Sequence, residues 1–229
     1  MLEHIGQRLK ESGFTKPIVI FLISLIGPAI VLSLPFILAW QPDYLASHLY
    51  LFGTLGQVLM DLPALIMLAH DKVDWLGRKK EYLPSVGMGI VGAALLAVVK
   101  LVISRHITFM GGVPAFTLSL TLAWPWNLIA TALAVFAYGP GEALYLVYLI
   151  SAFDATTDRH QRLISRGVII TALLWGLSHS LNAFFFGWAA LGNSLFMVAI
   201  GFVIGLIFKR SRSALGPIMF WSLVNGTSA

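Results

Sequence analysis

Three polar side chains, Glu142, His179 and Asn225, interrupt hydrophobic stretches of this chain. Each lies at nearly the same distance from a basic cluster. Glu142 is 12 residues before Asp154, His179 is 13 after Arg166, and Asn225 is 13 after Arg212. At about 1.5 Å per helical residue, all three stand roughly 18–20 Å from a common basic boundary. Separate helices can therefore converge a carboxylate, an imidazole and a carboxamide on one layer. Such a trio suits hydrolysis, with Glu142 as base for a water and His179 and Asn225 as donors to an oxyanion. It suits helix association equally well, each interhelical hydrogen bond giving about 0.6–2 kcal/mol. The spacing leaves both roles open.

The elements that must carry these groups follow from composition. The 229 residues are 58% hydrophobic and 11% charged, with a mean hydropathy of +0.86. A soluble domain is roughly 45–50% apolar and about 25% charged, and a chain of this size has too much surface to hide the excess. A soluble enzyme, a nucleic-acid module and a disordered chain are excluded. The expected partners are membrane lipids and a membrane-protein partner or larger complex, with no nucleic acid. The chain has no Cys, so disulfides, thiolate zinc sites and Cys nucleophiles are excluded as well. The net charge of +5 is carried by residues flanking apolar spans, where anionic headgroups account for it.

A span needs about 20 mostly apolar residues. Candidates lie near 17–40, 47–70, 86–104, 115–138, 139–153, 164–187, 191–208 and 214–226. Basic residues cluster at Arg8, Lys10 and Lys16, at Lys72 and Arg78 to Lys80, at Arg159, Arg162 and Arg166, and at Lys209, Arg210 and Arg212. The positive-inside rule assigns these four alternating clusters to the cytoplasm. Between the second and third cluster the chain must then cross an even number of times, yet three apolar segments fill the interval. One of them should not cross fully. The segment around 113–141, broken by Pro114, Trp124-Pro125-Trp126 and Gly139-Pro140-Gly141, is expected to be irregular or re-entrant. The predicted fold is an all-α polytopic transmembrane bundle of seven to eight hydrophobic helices. Residues 1–16 form a cytoplasmic amphipathic tail, and 17–229 a single transmembrane domain. The expected location is the inner (plasma) membrane, multi-pass, with the N-terminus cytoplasmic.

Two other charged residues fall inside apolar segments. Lys100 lies four residues from Ser104 and can snorkel to the interface. Asp61 precedes Pro63, and its carboxyl is expected either to satisfy N–H groups around a helix break there or to be protonated.

Three stretches resemble the motifs of the CPBP (CAAX protease and bacteriocin-processing) family of intramembrane proteases, which includes the type II CAAX prenyl endopeptidases. The family's Glu-Glu-x-x-x-Arg motif is matched by Gly141-Glu142-Ala143-Leu144-Tyr145-Leu146. Its aromatic-x-x-x-His motif is matched by Trp175 to His179. Its glycine-spaced helix, basic turn and His-x-x-x-Asn helix are matched by Gly201 and Gly205, Lys209 and Arg210, and Trp221 to Asn225. The resemblance covers about 139–226 and makes 113–229 the family-like core, preceded by N-terminal helices over 17–112.

The departures bear on activity. With Tyr145 aligned to the family aromatic, Gly141 stands for the first Glu and Leu146 for the Arg; a shifted alignment makes Glu142 the first Glu and puts Val147 in place of the Arg, and in either case Trp221 stands for the third-motif His. The resemblance implies Glu142, His179 and Asn225 as the surviving catalytic residues. Trp221, Tyr145, Trp175 and Leu146 are then pocket or altered motif positions. A catalytic metal usually needs about three protein ligands, and Trp offers no acceptor nitrogen, so no metal is expected. No cofactor is expected either. A lipid, isoprenoid or pigment is the kind of molecule such a cavity would hold. The reading favoured by Trp221 is a degenerate, non-catalytic homologue acting in binding, stabilisation or assembly. The alternative is an intramembrane CAAX-type endopeptidase in which Glu142 activates water against a membrane-embedded or prenylated substrate.

Overall fold

A computed structural model describes residues 13–37, 42–104, 112–156, 163–180, 188 and 190–226. Arg8, Lys10, Arg159 and Arg162, with nearly all of the expected tail, lie outside these residues. The described residues are helical, with no strand among them. In chain order the helices are α1 (Thr15–Ile37), α2 (Pro42–His70), α3 (Lys79–Ser104), α4 (Gly112–Leu120) and α5 (Trp126–Phe136). A π-helical segment (Ala137–Gly141) follows, then α6 (Glu142–Asp154), α7 (Arg166–Ser180), α8 (Ala190–Ser211) and α9 (Leu215–Gly226). Four stretches are long and apolar enough to cross a membrane: Leu51–His70, Lys79–Val102, Trp126–Asp154 and Leu191–Ser211. Their outward faces carry residues such as Leu95, Val102 and Leu195, more than half exposed, as a surface solvated by acyl chains requires.

The helix α6 is the axis of the bundle. It packs against α1, α2, α7, α8 and α9, and Leu146 to Ile150 are completely buried. A helix apolar on all sides belongs in the centre of an assembly. Helix α8 lies tightly on α7 because Gly201 and Gly205 face it. A Cβ at Gly201 would stand 2.9 Å from the Trp175 ring, and one at Gly205 2.7 Å from Val168. The glycine spacing thus serves close approach within the chain.

The described members of the basic clusters lie at one end of the bundle, where Arg166 at the start of α7 stands over the ring of Phe14. Lys16 at the start of α1 pairs with Asp71 at the end of α2 (2.6 Å). Lys209 at the end of α8 pairs with Asp154 at the end of α6 (2.8 Å). The N–H of Ala214, before α9, donates to the carbonyl of Trp75, before α3 (2.7 Å).

The interval between the second and third clusters holds two long spans and one short helix, α4, of nine residues. Two candidate spans in this interval are compatible with the even number of crossings expected from charge placement, and α4 and the π-helical segment lie within 112–141. The chain there turns at residues 121–125 and passes through the π-helical segment. One expectation is corrected. Gly139-Pro140-Gly141 does not separate two spans, because residues 126–154 form one continuous span. A π turn widens the helix by a residue and so passes Pro140, which lacks an N–H and would crowd an α-helical carbonyl.

Candidate functional site

Glu142 opens α6 immediately after the π-helical segment and is 2% exposed. Both of its oxygens are occupied. The indole N–H of Trp175, on α7, donates to Oε1 at 3.0 Å, and that of Trp221, on α9, donates to Oε2 at 2.7 Å. The two indoles meet edge to face, with centroids 5.2 Å apart and planes at 76°. One carboxyl group thus ties three helices together through two hydrogen bonds. Both tryptophans are buried, Trp175 completely.

His179 and Asn225 sit one helical turn beyond those tryptophans on the same helices. Nδ1 of His179 lies 2.9 Å from the carbonyl of Trp175, and its ring packs edge-on against the Trp175 indole at 5.0 Å. Asn225 donates through Nδ2 to the carbonyl of Tyr138 at 2.9 Å. That carbonyl is reachable because of the π turn, since the N–H of Glu142 bonds back to Gly139 and not to Tyr138. Among the described residues, no two members of the Glu142, His179 and Asn225 trio bond each other directly. Trp175 and Trp221 stand between them. Tyr145 and Leu146, one turn into α6, are buried in the core.

A fourth residue joins the centre from α2. Asp61 is fully buried. Its Oδ1 accepts from Gln57 at 3.0 Å, and its Oδ2 has no hydrogen-bond partner among the described residues. A Cβ at Gly141 would stand 2.6 Å from that Oδ2, and the Asp61 and Glu142 carboxyls are near enough to interact electrostatically. Asp61 therefore serves no helix break, and α2 runs without interruption through Pro63. The two glycines beside Pro140 admit neighbours on two sides. Gly141 admits Asp61, and Gly139 admits Ser222 of α9, whose Oγ would lie 2.5 Å from a Cβ there. Sequence reading ties Asp61 to Pro63, whereas its hydrogen-bonding donor is Gln57, four residues before it. The usable signal was a glycine directly before Glu142, which makes room for a group from elsewhere in the chain.

The arrangement does not fit a metal ion. Among the described residues no group of three or more His, Cys, Asp or Glu side chains comes together. The carboxylate that would be the first ligand instead faces two indole N–H groups, whose positive ends oppose a cation. Lys100, the remaining intramembrane charge, lies over the ring of Phe196 at 5.3 Å from its centroid, a cation–π contact at the bundle surface.

Comparison with known families gives the ancestry of this centre. Residues 123–227 match the family model described as type II CAAX prenyl endopeptidase Rce1-like. This part of the chain belongs to that family. The match begins just before α5 and ends just after α9, so it contains Glu142, Trp175, His179, Trp221 and Asn225 but not Asp61. No curated protein and no solved structure matches the chain.

Proposed function

We propose that this protein is a non-catalytic member of its family, acting in the membrane by binding, stabilisation or assembly. The observation that carries the reading is the double capture of Glu142 by Trp175 and Trp221. A general base needs a lone pair aimed at a water within hydrogen-bond reach. Here the carboxylate is buried, each oxygen already accepts a strong donor, and aromatic rings fill the space around it. An oxyanion would need donors aimed at it, but His179 lies against its own helix's carbonyl and Asn225 donates to Tyr138. The centre is suited to holding α6, α7 and α9 in one arrangement. The positive-inside rule places the basic end in the cytoplasm, and the partner is membrane lipid or a membrane protein.

One observation favours the alternative, an intramembrane endopeptidase. Asp61 brings a second carboxyl to Glu142 from outside the family-matching region, with one oxygen unclaimed. The experiment is a cleavage assay in proteoliposomes with a prenylated CAAX-type peptide and a transmembrane reporter. The non-catalytic reading predicts no cleavage above that of Glu142→Gln. Cleavage abolished in both Glu142→Gln and Asp61→Asn would establish the endopeptidase instead.

A further inference from the structure

At the basic end, between the start of α3 and the turn joining α8 to α9, lies a pocket of about 370 Å³ lined by Lys80, Glu81, Pro84, Met88, Arg210 and Arg212. Its walls are built, with Ser85 as the organiser. The Ser85 hydroxyl lies 3.0 Å from that of Ser211 and 3.1 Å from the carbonyl of Ser213, and accepts from the N–H of Gly216 at 2.7 Å. Arg212 is held with φ +56°, in the left-handed region that favours glycine. The chain thus keeps a guanidinium at a position where glycine would be easier.

The charges in this pocket are unbalanced. Lys80, Arg210 and Arg212 have no carboxylate partner among the described residues. Glu81, the one acid present, spends Oε2 on the N–H of Arg78 at 2.9 Å, as a cap of α3. Directly beyond the cations, α3 presents an apolar stripe. Lys80, Pro84, Met88, Val91 and Leu95 recur at helical spacing, and Val91 and Leu95 are 57% and 62% exposed. A cationic pocket continuous with a bare apolar stripe has the shape of an amphiphile with an anionic head.

We propose that this pocket binds the phosphate headgroup of an anionic phospholipid, whose acyl chains run along the Val91–Leu95 face of α3. Three cations and two kinds of donor match a phosphodiester, and basic pockets between membrane helices at the interface recognise such heads. The apolar continuation favours a lipid over a free phosphate ester, which would gain nothing from Val91 or Leu95.

The test uses the full chain in neutral detergent with three probes: short-chain phosphatidylglycerol, short-chain phosphatidylcholine and glycerol 3-phosphate. Phosphatidylglycerol should bind at least about tenfold more tightly than either of the others. Lys80→Ala, Arg210→Ala and Arg212→Gly should each weaken it about fivefold, from the effect of one basic residue at an anionic surface. Arg212→Gly should do so without lowering the melting temperature, because glycine relieves the backbone, and this keeps binding apart from folding. Lys72→Ala, on the same end but outside the pocket, should leave affinity unchanged. Equal binding of the two lipids, or glycerol 3-phosphate matching phosphatidylglycerol, would overturn the assignment. So would Lys72→Ala weakening binding as much as Arg212→Gly, since attraction would then be diffuse.

Discussion

The helix α6 carries an acid at each end, and the two are compensated in opposite ways. Asp154, at the basic end, has a cation on one oxygen and a backbone donor on the other, from Lys209 (2.8 Å) and the N–H of Gly167 (2.8 Å). Glu142, at the other end of the same helix, has neutral indoles on both. At the basic end a full ion pair, itself largely buried, satisfies the acid. Within the slab, dipoles from two large rings exclude water and satisfy the carboxylate together. The difference teaches that Glu142 is a junction of three helices, each of its oxygens taken by an indole N–H; the non-catalytic role proposed above rests on that.

The comparison can be broken most forcefully at the buried junction. Glu142→Leu strands two buried indole N–H groups and should cost on the order of 3 kcal/mol of stability. Adding Trp175→Phe and Trp221→Phe to the same chain should recover much of that loss, because apolar replacement of all partners leaves nothing unsatisfied. Thermal or denaturant unfolding in one detergent reads both, and a triple variant no better than the single would dissolve the junction. At the other end of α6, Lys209→Met removes the cation from Asp154 Oδ2. It should cost about 2 kcal/mol, with the loss reduced in an Asp154→Asn background.

Gly141 sharpens the boundary between the two carboxyls of the centre. Gly141→Ala should cost about 1–2 kcal/mol through contact with Asp61 Oδ2 and the Phe136 ring. Asp61→Ala should be less harmful in that background than in the wild type, and additive costs would place Asp61 elsewhere. The smallest effect lies at the exposed basic end. The hydrogen bond from Lys16, with His70 beside it, holds the Asp71 carboxyl below its usual value of 3.8. A lowered folded-state value means the stabilisation is fully present above that pH and lost as pH falls through the folded value. For so exposed a pair it amounts to a few tenths of a kcal/mol. Melting curves between pH 6 and 3 should show Asp71→Asn slightly less stable than wild type at pH 6, with the gap closing in acid.

Much of this architecture was legible from the chain. The parity of the basic clusters called for one incomplete crossing between 71–85 and 154–166, and α4, with nine residues, is too short to span by itself. Rise per residue gives Glu142, His179 and Asn225 a similar depth, but a residue count cannot show which side chains bond across helices. Trp175 and Trp221, on the same faces one turn nearer the basic end, take the bonds that spacing alone offered to His179 and Asn225. Gly139-Pro140-Gly141 read as a break, because local propensity cannot reveal that two neighbouring helices need the missing side chains. Asp61 could not be placed against Glu142 for the same reason: nothing in its own helix points across to α6.

The central claim is that Glu142 is sealed between two indoles, away from water. The direct measurement is the indole N–H spectrum of tryptophan-labelled protein, whose seven tryptophans should include two that exchange slowly with solvent and shift together in Glu142→Leu. If all seven exchange rapidly, or none moves when Glu142 is replaced, the carboxylate is open to water and the account fails.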